Sequence, residues 1–189
     1  MKANRTANQL RIIAGRWRGR KLAFAAAPGV RPTPDRVRET LFNWLSPCIN
    51  GARCLDLFAG SGALGIEAAS RGASHVVLVD NDAAVVTQLR EQLGLLQASQ
   101  VDVVQANVDR WLAGRAKAFD IVFLDPPFRQ GLLPGCMAAL DAGGWLAANA
   151  TIYIEAERHY ELVLPAGWEL LRSKHAGQVD YHLARYVSG

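Results

Sequence analysis

"ARCLDLFAGSGALGIEAASRG", residues 52–72, decides how the rest of the chain is read. An apolar run, "ARCLDLF", meets a glycine-rich loop, and "ALGIEAASR" follows at helical spacing until Gly72 closes it. Gly60, Gly62 and Gly65 satisfy G-x-G-x-x-G, and Asp80 lies about twenty residues beyond Gly60. In a dinucleotide site that pattern sets a pyrophosphate on the helix N-terminus and an acid on the ribose. Taken alone, it certifies only a tight strand-to-helix turn that a ligand can approach closely.

Outward from this unit the chain alternates. "HVVLVD", "VDVVQA", "FDIVFLD" and "ATIYIEAE" are short Val/Ile-rich strands. Between them lie the helical runs "AAVVTQLREQLGLL", "VDRWLAG" and "LLPGCMAALDA", the last expected to carry a Pro–Gly interruption. Such alternation predicts an α/β fold with a mostly parallel sheet covered by helices on both faces. The tail "WELLRSKHAGQVDYHLARYV" predicts two strands turning at Gly177, an antiparallel edge. Ahead of the sheet, "RPTPDRVRETLFNWL" predicts a helix with Thr33 as cap and Pro34 at the first helical position. Val37, Leu41, Trp44 and Leu45 fall on one stripe of it.

The 189 residues are half apolar and one-fifth charged, an ordinary composition that suggests one domain. Cys48, Cys54 and Cys136 are an odd number without CxxC spacing, which predicts reduced thiols in a cytoplasmic protein. The four histidines show no metal-ligand spacing, so no metal is expected. No apolar run approaches a membrane span, and no signal peptide is expected. Charge is unevenly placed. Residues 1–38 hold ten basic side chains against Asp35 alone, +9, while the chain as a whole is +4, which leaves −5 for the remainder. "LRIIAGRWRGRKL" interleaves Ile12, Ile13 and Trp17 with the cations. It predicts a short hairpin with a basic face for a polyanion, with Arg16, Arg18, Arg20 and Lys21 on phosphates. Residues 1–30 are thus assigned as a basic extension facing nucleic acid and 31–189 as the main domain. Thr33, Arg36 and Arg38 stand near the helix start, and two roles remain open for them: over a cofactor carboxylate, or against RNA.

In a parallel sheet the ligand sits beyond the carboxyl ends of the strands, so strand-end residues identify it. Asp56 ends the first of these strands, four residues before Gly60. A carboxylate there opposes a pyrophosphate in a partly desolvated crevice but suits an ammonium group. S-adenosylmethionine has an ammonium, a sulfonium, a ribose and an adenine, and no phosphate. Asp80 suits its ribose, and Asn107 its adenine edge, with Asp109 as a second candidate. Phe58, Ala59, Ser61, Asn81 and Val108 complete the expected cofactor-binding set around Asp56, Gly60, Gly62, Asp80 and Asn107. "FLDPPF" then places Asp125, Pro126, Pro127 and Phe128 at the end of the fourth strand. Two prolines stop the ladder and leave rigid carbonyl acceptors beside the carboxylate. Asp125 and the Pro126 carbonyl are placed to accept both hydrogens of an exocyclic base amine, freeing its lone pair for a methyl group. Phe128 would stack on a base splayed out of its helix. Guanine in RNA and adenine in DNA both present such an amine, so an adenine-N6 DNA methyltransferase stays open as the alternative.

"LDLFAGSGALGIEAASRGA" followed by "DPPF" resembles the class I S-adenosylmethionine-dependent methyltransferases of exocyclic amino groups. With "RIIAGRWRGRKL" and "RPTPDRVRETLFNWL" ahead of it, nearly the whole chain resembles the RsmD family of bacterial 16S rRNA guanine-N2 methyltransferases. The resemblance implies a Rossmann-like, seven-stranded sheet of order 3-2-1-4-5-7-6. It implies methylation of the 2-amino group of one guanine in 16S rRNA. The rRNA is expected within a partly or fully assembled small subunit, and the protein is expected to be a cytoplasmic monomer. It also implies that Asp56 and the Gly60–Gly62 loop hold the methionine part, Asp80 the ribose, Asn107 the adenine, and Asp125 to Phe128 the base. Many members carry Asp where Asn107 stands.

Overall fold

The computed structural model describes residues 8–24 and 34–187. The 30/31 boundary, the Thr33 cap and the cations Lys2, Arg5 and Arg31 lie outside the described residues.

The chain begins with an antiparallel hairpin, β1 (Asn8–Arg11) and β2 (Lys21–Phe24), followed by helix α1 (Asp35–Leu45). Then come β3 (Arg53–Asp56), α2 (Ala63–Ser70), β4 (His75–Asp80), α3 (Ala83–Leu96), β5 (Val101–Gln105) and α4 (Val108–Leu112). The remainder is β6 (Phe119–Leu124), α5 (Leu132–Ala142), β7 (Leu146–Glu157), β8 (Trp168–Ala176) and β9 (Val179–Tyr186). Seven strands form one sheet in the order β5-β4-β3-β6-β7-β9-β8. Counted from β3, that is the expected order 3-2-1-4-5-7-6. The first five are parallel; β9 and β8 add the antiparallel edge, turning at Gly177.

Strand periodicity divides the core between the two faces. Cys54, Val76, Leu78, Ile121, Phe123 and Tyr153 point to the side covered by α1, α2, α3 and the hairpin. Leu55, Val77, Val79, Val122, Leu124 and Ile152 point to the side covered by α4 and α5. Every residue of α2 is buried. A helix buried on all sides needs a cover over its outer face. The hairpin supplies it, with Leu10, Ile12, Trp17, Leu22 and Phe24 each 5% exposed or less.

Three expectations are corrected. Pro34 caps α1 with no side-chain bond and is not its first helical residue. The run Leu132–Ala142 is one unbroken helix, because Pro134 sits in its first turn, where the backbone N–H has no intrahelical acceptor in any case. β7 begins at Leu146 rather than Ala150; a register shift opposite Phe119 to Ile121, and the left-handed backbone of Asn149, absorb the extra residues.

Candidate active site

The glycine loop runs between the carboxyl end of β3 and the start of α2. Gly62 is the helix cap, with φ +76°. A β-carbon on Gly62 would stand 2.6 Å from Ile66 Cδ1, and one on Gly65 2.2 Å from Leu78 Cδ2. Two of the three motif glycines are therefore dictated by packing of α2 onto α3 and β4. They carry no information about phosphate.

Asp56 does. Its side chain is 1% exposed, and Oδ2 accepts from the Gly65 amide at 3.1 Å. Oδ1 is buried with no hydrogen-bond partner among the described residues. Burial pushes this carboxyl up to about 7, against the pull of the Gly65 and Phe58 amides, and the charges of Asp80 and Glu155 push it further. A desolvated carboxylate with an unmet acceptor is a receptor for a cationic donor, and a phosphate beside it would be repelled. The ammonium of S-adenosylmethionine fits this position.

Asp80 ties the loop down. Oδ2 accepts from the Gly60 amide and Oδ1 from the Asp82 amide, both at 2.9 Å. Each oxygen retains a second lone pair for a ribose hydroxyl. Ser61 is buried, Phe58 half-buried, and Ala59 hydrogen-bonds back to Val79. Asn81 is exposed beside Asp80. Asn107, and not Asp109, caps α4: its Oδ1 accepts from the Asp109 and Arg110 amides at 3.0 and 3.3 Å. The cap uses Oδ1, so the Nδ2 end of exposed Asn107 is not engaged in it and can donate. Val108 is buried in the core under α4.

β6 adjoins β3, with Asp56 opposite Phe123, so Asp125 follows two residues beyond the level of Asp56 on the neighbouring strand. Pro126 is buried, Pro127 exposed, and Phe128 is 38% exposed at the rim of a concavity of about 270 Å³. An aromatic ring held partly in solvent beside such a hollow is available to stack. Glu155, Glu157 and Tyr160 line the same hollow. Sequence reading overlooked Glu155, which looks like the polar partner in an alternating strand.

The basic hairpin is anchored by a second overlooked residue, Glu67. This lone carboxylate of α2 accepts from the Ile13 and Ala14 amides at 2.8 and 3.0 Å and from Arg71 Nε at 2.7 Å. Arg38 NH1 stands 3.6 Å from it. Arg38 takes neither of the roles left open for it, over a cofactor carboxylate or against RNA. It is 0% exposed, bonded to Asp35 Oδ1 and the Arg11 carbonyl, and no surface of it reaches a ligand. Helical spacing from exposed Asp35 could not reveal this, because the hairpin crosses that face of α1. Arg36 is exposed on the first turn of α1, and Arg16, Arg18, Arg20 and Lys21 are all exposed on the hairpin. The Arg16 amide bonds the Ser70 carbonyl, which places the hairpin turn at the far end of α2. Eight residues of helix, about 12 Å of rise, separate it from the glycine loop. Gly15 is required there: a β-carbon on it would overlap the Ser70 carbonyl.

A family model described as "Conserved hypothetical protein 95" matches residues 10–185. The chain belongs to this family. Its curated relatives include the "Ribosomal RNA small subunit methyltransferase D" of Escherichia coli strain K12, 53% identical over 176 residues, 93% of this chain and 89% of that protein. The protein of the same name from Haemophilus influenzae is 46% identical, covering 93% of each chain. The RsmD resemblance drawn from the motifs is thereby borne out. The solved structure of Escherichia coli yhhF superposes with a TM-score of 0.89 at 52% identity, covering 96% of this chain and all of that one. An RNA methyltransferase of Salinibacter ruber, solved with S-adenosyl-L-homocysteine, shares the fold at 18% identity and a TM-score of 0.61. Among the described residues, no cluster that could hold a metal ion and no helix long and apolar enough to cross a membrane is found.

Proposed function

We propose that this protein transfers a methyl group from S-adenosylmethionine to the exocyclic 2-amino group of a guanine in 16S rRNA. One observation carries the reading: a buried, half-unsatisfied carboxylate at a glycine loop stands one strand from an Asp-Pro-Pro-Phe end that opens on a hollow. The first suits an ammonium-bearing cofactor and the second a planar base with an amine.

When bound, S-adenosylmethionine supplies an electrophilic methyl group on sulfur. Asp56 would hold its ammonium, Asp80 its ribose hydroxyls and Asn107 Nδ2 its adenine. Asp125 and the Pro126 carbonyl would accept the two hydrogens of the base amine, which localises the nitrogen lone pair and aims it toward the cofactor side. Phe128 would stack on the splayed base. The exposed cations Arg16, Arg18, Arg20 and Lys21 would contact phosphates well beyond the base, making residues 1–30 an RNA-facing extension of the domain that follows. Arg36, exposed on the first turn of α1, would take a further phosphate. The substrate would be 16S rRNA in a partly or fully assembled small subunit, met in the cytoplasm by a monomer.

Methyl transfer from labelled cofactor to small-subunit rRNA, with mass mapping of the product nucleoside, tests this. N2-methylguanosine is expected, and Asp125→Ala should abolish it. A different methylated nucleoside, or undiminished transfer by Asp125→Ala, overturns the assignment.

A further inference from the structure

Glu155 stands where a second carboxylate can read the base. Leu124 of β6 pairs with Ile154 of β7, so the next residues, Asp125 and Glu155, follow side by side on neighbouring parallel strands. In-register neighbours project from the same face of a sheet. Glu155 is 3% exposed and lines the hollow together with Pro126, Pro127 and Phe128. It is also held in place. Tyr153, fully buried two residues earlier on that face, donates its hydroxyl to Glu155 Oε1 at 2.7 Å. Burial keeps the Tyr153 phenol well above its ordinary range, with the charges of Glu155 and Asp125 adding to the effect, so the donor does not titrate away. A carboxylate offers about four lone-pair sites, so the Tyr153 hydroxyl fixes Glu155 without exhausting its capacity to accept toward the hollow.

The Watson–Crick edges of the candidate bases differ at that point. Beside its 2-amino group guanine carries N1–H, a second donor. Beside its 6-amino group adenine carries a bare N1 lone pair. We propose that Glu155 is the specificity residue: its carboxylate accepts N1–H of a guanine whose 2-amino group lies at Asp125, and repels the lone pair that adenine would place there. Two carboxylates in adjacent register match two adjacent donors; no such match exists for adenine. Tyr153 is a positioning residue that fixes the carboxylate without touching the base. The inference rests on the reading that a guanine amine is the methyl acceptor, and it supplies the guanine-over-adenine discrimination that Asp-Pro-Pro-Phe alone lacks.

The test uses 16S rRNA ligated to carry either guanine or 2-aminopurine at the methylated position, supplied naked and in reconstituted small subunits. 2-Aminopurine keeps the 2-amino group but presents a bare N1. Wild-type kcat/KM should fall at least about 100-fold on 2-aminopurine, as expected when a site built for a donor meets a lone pair. Glu155→Gln, whose amide can donate as well as accept, should narrow that ratio to less than about 10-fold. If Glu155→Gln does not fold, Tyr153→Phe, which keeps the carboxylate and frees it to move, should narrow the ratio in the same direction. Wild-type rates within threefold of each other overturn the inference, as does a variant that loses both substrates in proportion, since a merely structural role leaves the ratio unmoved. Absence of transfer to guanine RNA itself would instead overturn the parent function.

Discussion

Replacing Asp56 with Asn separates the cofactor reading from a purely structural one through its dependence on pH. With the carboxyl held at about 7, only about 1% of the free protein carries the ionised form at pH 5, and about half does at pH 7. A ligand whose ammonium requires that ionised form must displace the proton when it binds. Its dissociation constant should therefore fall about 50-fold between pH 5 and pH 7, or roughly 2.3 kcal/mol, with close to one proton released at pH 5. Calorimetric titration of S-adenosylhomocysteine in buffers of different ionisation enthalpy reads both quantities at once. Asp56→Asn should weaken binding at pH 7 and flatten the profile. The sign for stability runs the other way. A carboxyl raised in the folded state favours folding only while protonated, so the unliganded wild type loses stability as pH rises from about 4 to 7. The Asn variant should not lose it, and its melting temperature should overtake the wild type's near neutrality. A wild-type dissociation constant that moves less than threefold over this range refutes the argument, because the unmet Oδ1 would then face something other than a cation.

Three further outcomes follow from the packing. Gly65→Ala should destabilise by about 1–3 kcal/mol in urea unfolding and weaken S-adenosylhomocysteine binding, since its β-carbon would stand 2.2 Å from Leu78 Cδ2 and 3.3 Å from Asp56 Oδ2; Leu78→Ala in the same chain should recover part of that affinity if the Leu78 clash is the cause. Glu67→Ala leaves Arg38 buried without that partner and should cost about 3–5 kcal/mol, with amide exchange at Ile13 and Ala14 rising to the level of open loops. Neutralising Arg16, Arg18 and Lys21 should lower the slope of log affinity for rRNA against log salt by about 0.7–0.9 per lost phosphate contact, with S-adenosylhomocysteine binding unchanged.

The alternation of short apolar strands with helical runs was legible because both periods, two and 3.6, are written locally in the chain. For the same reason α3 spans Ala83–Leu96, the run its apolar spacing predicts. Asp56, Asp80 and Asp125 were legible because strand-end position follows once the strands are known. The hairpin's apolar residues and exposed cations were also written in its alternation. What the chain did not disclose is what lies against each of these. Arg38 looks like a surface cation until the hairpin closes over it, and Glu67 looks like an ordinary helix glutamate until Ile13 and Ala14 are brought to it across more than fifty residues. Glu155 becomes a site residue only when β7 registers beside β6. By itself the sequence determined the order of elements and the chemistry at the strand ends, because those depend on neighbours a few residues apart. The tertiary structure decided which charges are buried and what the motif glycines are for, because desolvation and close packing are properties of the partner surface, which no local pattern encodes.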